Sequence, residues 1–423
     1  MLVPEAPLDA YRSDLARDKS REDFGGADTV WLLTAHCLSR LARASAQDIP
    51  LLGEQCASAL RDFTLPSTEG TPTPAVEIDD LHLVVSGFSN LLTRAGADTL
   101  GKGVRNMSNR MAESGALSMA YTTVSLTRRV AADASDRERG LLTADQGLFA
   151  RLLGDLDTAE DLYKASESTA VQSSDMVVLS RAYIGRGVID RVRGNYPRSR
   201  VFFERALELA ETVQERELRR LAHQGLTICH IVAENFDRAL THGWETFRLA
   251  DGSANREADA LLNLAHICLM AGFPVAALRS YGAILSKPLA PHRMLAGLGS
   301  AAIAAAQAND REVLARAAGE ITHRVRGSGL PYENAQALYN LGVAYAVIGD
   351  DRLRDEYLGR ARKLAKARGF FELLHKTEPA ELAKAAQPRA ASNLTRSSQE
   401  VIASISELDV GEAGGLLALT HLS

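Results

Sequence analysis

With 423 residues, the chain can hold two or three compact domains or one elongated repeat array. A hydrophobic fraction of 46% supports a large core, and the 5% aromatic content beside abundant Ala and Leu favours close helix packing over a sandwich or barrel. A net charge of −5 argues against bulk affinity for nucleic acid.

Residues 1–26 are polar, mixed in charge and close on Gly25-Gly26, which predicts a flexible N-terminus. It lacks the basic start and apolar run of a secretion signal. A helix is expected from Asp28 or Thr29, with Val30, Leu33, Cys37, Leu38 and Leu41 on one face, and a second over Ile49 to Phe63. Leu65 to Ala75 carries three prolines and a glycine and cannot continue a helix, so a Pro/Thr loop is placed at 64–78. A third helix starts at Asp79 or Asp80, with Leu81, Val84, Val85, Phe88, Leu91 and Leu92 as its apolar stripe. Residues 27–98 thus read as an N-terminal helical cap region.

From about residue 99 to 378 one design recurs: a helix, a small-residue turn, a second helix. Anchored on the turns, the copies fall at Gly115, Gly154, Gly194, Glu234, Gly272, Ala308 and Gly349, with spacings of 39, 40, 40, 38, 36 and 41. A period in this range marks a stacked repeat array. Five of the seven anchors are Gly, which accepts the positive φ common at helix ends. Five residues past the anchor stands a small residue (Ala120, Ala159, Ser199, Ala239, Ala277), and four further an aromatic (Tyr163, Phe203, Tyr281). Seven residues before it come Gly147, Gly187, Ala265 and Gly342. The small side chains let paired helices approach, and the aromatics fill the gap between neighbouring repeats.

Leu341-Gly342-Val343-Ala344-Tyr345 and the pairs Ala159/Tyr163, Ser199/Phe203 and Ala277/Tyr281 resemble the tetratricopeptide repeat (TPR) pattern. The period is longer than that family's and the closing proline is mostly missing. In this the chain resembles degenerate long-period sensor solenoids of bacterial transcription activators and peptide-responsive regulators. The resemblance implies an all-α, right-handed superhelical α-solenoid of about seven TPR-like helix pairs with an N-terminal helical cap, whose first helices line a concave groove. By the family's ligand-facing positions, the groove candidates are Arg181, Arg191, Gln224, Asp259, Asn263, His266, Tyr339 and Asn340. The implied partner is a protein or peptide, gripped without catalysis by an adaptor or sensor.

Residues 379–423 form a C-terminal extension and tail. Gln387 to Ser398 reads as a linker, and the last helix is expected over Tyr357 to Leu374 with an extension at 380–386. Gly414-Gly415 is faintly similar to the double-glycine leader of processed peptides. Eight of the 48 basic residues are lysine, a bias of high-GC bacterial genomes. Four cysteines without a Cys-x-x-Cys pair read as reduced, mostly buried thiols. No apolar run reaches 18 residues, so no membrane span is expected and the protein is placed in the cytoplasm.

Candidate chemistry is thin. Gly96 to Gly103 matches the spacing of a phosphate-binding loop, but Gly103 stands where a magnesium-binding hydroxyl is needed, and an inter-helix turn accounts for it better. His266 with Cys268, or His223 with Cys229 and His230, lack zinc-site spacing. There is neither a Gly-x-Ser-x-Gly elbow nor a His-Glu-x-x-His helix, so an enzyme in the first 100 residues ranks last and no cofactor or metal is expected. A transcription regulator, or its ligand-sensing module, is the alternative to an adaptor, although residues 1–63 show no clear helix-turn-helix. Arg181, Arg186, Arg191, Arg193, Arg198, Arg200 and Arg205 crowd one repeat, either to hold carboxylates of an acidic peptide or to pair on a solvated face with Glu204 and Glu208. Arg360, Arg362, Lys363, Lys366 and Arg368 fit a charged helix C-terminus.

Overall fold

The computed structural model describes residues 26–61, 78–250, 254–285, 289, 291–326, 330–387 and 393–406. The N-terminal segment 1–25, most of the Pro/Thr loop and the Gly414-Gly415 pair lie outside the described residues. All regular structure among those described is helical. The chain divides into two compact units, Met1–Leu218 and Arg219–Ser423.

In the first unit, α1 (Gly26–Leu41), α2 (Ile49–Arg61) and α3 (Ile78–Ser89) precede the repeats. Trp31, Leu38, Leu60 and Phe88 are buried there with Met107, Met111 and Met119 of the first pair. Three helix pairs follow: α4 (Arg94–Glu113) with α5 (Leu117–Val130), α6 (Asp136–Leu152) with α7 (Leu156–Ser173), and α8 (Met176–Val192) with α9 (Tyr196–Thr212). The first helices α4, α6 and α8 also touch in succession. The second unit repeats the arrangement with α10 (Arg216–Val232, whose first turn holds the boundary) and α11 (Phe236–Arg248), α12 (Ala254–Met270) and α13 (Pro274–Leu285), α14 (Pro291–Gln307) and α15 (Arg311–Val325), and α16 (Pro331–Val347) and α17 (Asp351–Arg368). Each unit is therefore a stack of TPR-like helix pairs, the build of an all-α solenoid.

The turn inside each pair follows one recipe. Gly115, Gly154, Gly194, Glu234, Gly272 and Gly349 all have positive φ, between 54° and 92°. In the sixth pair the left-handed residue is Asn309 (φ 58°), not Ala308: a side chain that tolerates this region takes the place next door. The following residue then donates its N–H to the carbonyl five residues back, as in Asn195 to Asp190 (2.8 Å) and Asp310 to Ala305 (2.8 Å). In five pairs that same residue is Asp or Asn and caps the second helix: Asp155, Asn195, Asn235, Asp310 and Asp350 each accept from the N–H three positions on. One residue closes one helix and starts the next.

The packing code is sterically exact where it can be measured. Ala120, Ala159, Ser199, Ala239 and Ala277 are fully buried. Ser199 Oγ donates to the Gly187 carbonyl (2.8 Å), tying the two small positions together. A Cβ at Gly187 would stand 3.1 Å from the Phe203 ring, and one at Gly147 would stand 3.2 Å from Tyr163. Tyr163 also presses on the next repeat, where a Cβ at Gly185 would come within 2.1 Å of its ring. The aromatic thus fills the gap between α6 and α8.

Several boundaries differ from expectation. The glycines of Gly96 to Gly103 belong to neither a phosphate loop nor a turn: Thr93 caps α4, and these residues form its first half. Gly96 and Gly103 are small because α4 lies directly on Asn90 and on Leu83 and Val84. Residues 94–98 are hence the start of α4. The final helix stops at Arg368, because Gly369 turns left-handed (φ 69°), and α18 (Phe371–Lys376) and α19 (Pro379–Ala386) follow as separate short helices. The 387–398 stretch is not wholly a linker: Thr395 opens α20 (Arg396–Ser406), which returns to pack on α11 and α13 with Ile402 and Ile405 buried. Asp237 anchors it, accepting from Thr395 N–H (3.1 Å), Thr395 Oγ1 (2.8 Å) and Ser398 Oγ (2.6 Å).

Candidate functional site

In the first unit five of the seven crowded arginines are paired with carboxylates of the chain. Arg181 on α8 pairs with Asp145 on α6, whose side chain is fully buried. Arg105 on α4 pairs with Glu138 (2.7 Å) and reaches Asp145 (3.7 Å). Acid and base on successive first helices thus pin the repeats together. Arg186 pairs with Glu167 and lies 4.5 Å over the Phe202 ring, Arg198 pairs with Asp190 (3.3 Å), and Arg193 pairs with Asp157 (2.8 Å) and Glu160. Of the Glu204 and Glu208 pairing expected on a solvated face, the Arg200–Glu204 pair is present (3.5 Å). Arg191 is half-buried at the end of α8. Five of the seven arginines thus meet carboxylates of the chain, and the partners of Arg181, Arg186 and Arg193 stand 19 to 36 residues away, where the sequence alone does not disclose them.

The second unit brings four of the candidates together. Gln224 of α10, Asp259, Asn263 and His266 of α12, and Ala296 and Ser300 of α14 line one cavity of about 240 Å³, with Leu262 and Tyr281 completing it. Its walls come from three consecutive first helices, and Tyr281, the inter-repeat aromatic of α13, reaches it from behind. The Tyr281 side chain is fully buried, and its hydroxyl meets hydrogen-bond geometry with no group of the chain; Ser300 is the polar group beside it. Burial pushes that phenol above its ordinary range, so it is a neutral O–H donor. Asp259 takes a two-pronged contact from Arg293 of α14, with Oδ2 accepting from Nη2 at 2.9 Å. Gln224 accepts a long hydrogen bond from Arg220 (3.4 Å).

Tyr339 and Asn340 do not line this cavity. Both are buried on α16: Asn340 accepts from Gln336 (2.9 Å) and packs on Gly299, while burial and then Glu381 push the Tyr339 phenol up to about 12. Tyr281 and Ser300 are the members that sequence reasoning missed as polar lining. The sequence signal of Tyr281 is its packing position, which says nothing of a place beside a cavity.

The histidines separate from the cysteines. His266 faces the cavity while Cys268 is fully buried in the core, where burial pushes its thiol up to about 12. His223 and His230 gather around His242 of α11 instead of Cys229: the Nδ1 atoms of His223 and His242 are 2.9 Å apart, and His230 stacks on His242 with centroids 5.4 Å apart. Among the described residues no group of three or more His, Cys, Asp or Glu is placed to hold a metal ion, and no helix is long and apolar enough to cross a membrane. All four cysteines are free thiols and buried, with Cys37 and Cys56 in thiol-to-thiol contact.

No protein-family model matches the chain. No curated protein matches it either. Solved structures with a similar fold include a signal transduction ATPase with numerous domains, carrying a tetratricopeptide repeat sensor, from Pyrococcus horikoshii (14% identity over 80% of this chain and 56% of that one, TM-score 0.44). A tetratricopeptide repeat protein from Parabacteroides merdae matches at 16% identity over 66% of this chain and 98% of that one (TM-score 0.40). A Rap protein complexed with Competence and Sporulation Factor matches at 13% identity over 86% of this chain and 100% of that one (TM-score 0.46). The chain spans about half the length of the first of these.

Proposed function

We propose that this chain is a non-catalytic peptide-binding solenoid, acting as an adaptor or sensor, and that the binding groove centres on the first-helix face of the second unit. The observation that supports it is the cavity where Gln224, Asp259, Asn263 and His266 converge from two first helices and Ser300 from a third. Polar side chains held at fixed spacing on rigid helices suit an extended ligand, which lies across successive repeats. At about 240 Å³ the cavity falls below the range of about 300–1,000 Å³ typical of drug-sized ligands, so it suits one end or one side chain of a longer molecule. Arg181 leaves the list of groove contacts in this reading, since its charge is spent on Asp145.

The test is retention of a pooled random library of eight-residue peptides, with free and N-acetylated members in equal amounts, on the immobilised full chain. Retention above a blank is expected, and Asn263→Trp, which fills the cavity, should remove most of it while leaving the helical melt unchanged. No retention above the blank would refute the proposal.

A further inference from the structure

We infer that the face of α11 and α13 beneath α20 is a docking site for an amphipathic helix of a partner protein, and that α20 is its resident stand-in. This face is built by second helices and owes nothing to the groove reading above. A repeat array needs its last pair covered. Here α18 and α19 already do this, packing on α16 and α17. α20 instead runs back to α11, α12 and α13 of the fourth and fifth pairs. Closure of the array therefore does not account for it.

The face reads a helix in one direction and one register. Asp237 stands at the N-terminal end of α20, where the helix dipole favours a carboxylate. It accepts from the Thr395 N–H (3.1 Å) and from the hydroxyls of Thr395 (2.8 Å) and Ser398 (2.6 Å), the residue before the helix and its third residue. Further along, Ile402 and Ile405 are buried and join the core cluster of the unit. Ser398, Ile402 and Ile405 fall at i, i+4 and i+7 on one helical face, while Ser397, Glu400 and Ser404 on the other are exposed. A partner helix fits by the same pattern: a hydroxyl before its first turn, a second three residues on, and apolar residues seven and ten residues on. At 11 residues α20 is shorter than the about 12–15 that an isolated helix needs to persist in water, so docking supplies its order. A longer partner helix arrives with part of that order already made. Against it stands the tether, which presents α20 to the face at an effective concentration of about millimolar.

The probe is a synthetic peptide of residues 393–406, capped at both ends with fluorescein at the amino end, beside a scrambled peptide of the same composition. The double variant Ile402→Asp/Ile405→Asp of the full chain releases α20 and leaves the face intact. It should bind the probe at least tenfold more tightly than the unaltered chain, whose face is occupied, as read by fluorescence anisotropy. Asp237→Ala added to it should weaken that binding severalfold. Failure of the double variant to bind the probe overturns the inference, as does equal binding of the probe and the scrambled peptide. Equal binding to the unaltered chain and the double variant also overturns it, because the probe then sits elsewhere. A second measurement needs no variant: in the unaltered, isotope-labelled chain, excess unlabelled probe should speed hydrogen exchange at the α20 amides at least threefold, and unchanged exchange overturns the inference. A dimer of the unaltered chain that the double variant does not form overturns the partner in favour of α20 exchange between two copies.

Discussion

Replacing Arg181 with Met keeps the aliphatic stem and removes the guanidinium that answers Asp145. The Asp145 side chain is fully buried, whereas those of Arg181 and Arg105 are 22% and 16% exposed. Removing one partner of a buried pair costs about 3–5 kcal/mol, because the other charge stays behind without compensation. Arg105 at 3.7 Å still offers Asp145 a counter-charge, which puts the expectation at the low end, about 3 kcal/mol. The double variant Asp145→Ala/Arg181→Met should cost clearly less than the sum of the singles, with a coupling of about 2 kcal/mol. An array of this size need not unfold in one step, so the assay is native-state hydrogen exchange at the α6 and α8 amides, which reports opening of the repeat itself. A change below about 0.5 kcal/mol at those amides would refute the structural role and return Arg181 to the ligand-binding candidates.

The histidine trio should make the fourth repeat acid-sensitive. Burial first, then the charges of His223 and Arg238 hold His242 down to about 4 from 6.5, against the opposing pull of Glu245, and burial lowers His223 as well. The unfolded chain therefore binds more protons, so the stabilisation is complete above pH 6.5 and is lost as pH falls toward 4. The full shift corresponds to roughly 3 kcal/mol, and the partial exposure of His242 reduces the expectation to about 1–2 kcal/mol. Melts of the wild type and His242→Gln across pH 4 to 7 should converge at the acid end, and parallel curves would count against the trio. Glu234→Gly relieves a left-handed L residue and should stabilise by about 1 kcal/mol, whereas Gly154→Ala should destabilise by a similar amount. A Cβ at Gly154 meets nothing within 4 Å, so a larger loss in thermal unfolding would mean that the backbone argument is incomplete. Asp237→Ala removes the acceptor of three hydrogen bonds from the start of α20 and should expose residues 393–406 to limited proteolysis, while an unchanged cleavage rate would show that Ile402 and Ile405 alone hold it.

The repeat phase was readable because its determinants are local. A glycine that must turn left-handed and a small residue five positions on act within one hairpin, the aromatic four further reaches only the adjoining repeat, and each declares itself in the sequence. The misplacement at Ala308 came from the same rule read without its cap: Asn309-Asp310 is the informative dipeptide, as Gly154-Asp155 and Gly194-Asn195 are elsewhere. Gly96 to Gly103 misled because glycines that thin a helix for close packing look like glycines that bend a loop. Arg181 was placed on the ligand-facing side, yet its partner Asp145 lies a full repeat earlier, and pairing across repeats leaves no periodic mark in the residues themselves. The return of α20 to Asp237 spans 158 residues and rests on two hydroxyl side chains, a signal indistinguishable from any Ser/Thr-rich linker.

The joints between helices are of two kinds. Every joint inside a pair is three residues long, from Ser114–Ala116 to Ile348–Asp350, whereas those leading to the next pair vary from two residues (Ser174–Asp175) to five (Ala131–Ser135). The joint inside a repeat is thus fixed in length, whereas the joint between repeats is not. A residue inserted inside a pair would separate the helix-closing residue from the cap it supplies and throw the second helix out of phase. Variation in repeat length should therefore accumulate between pairs.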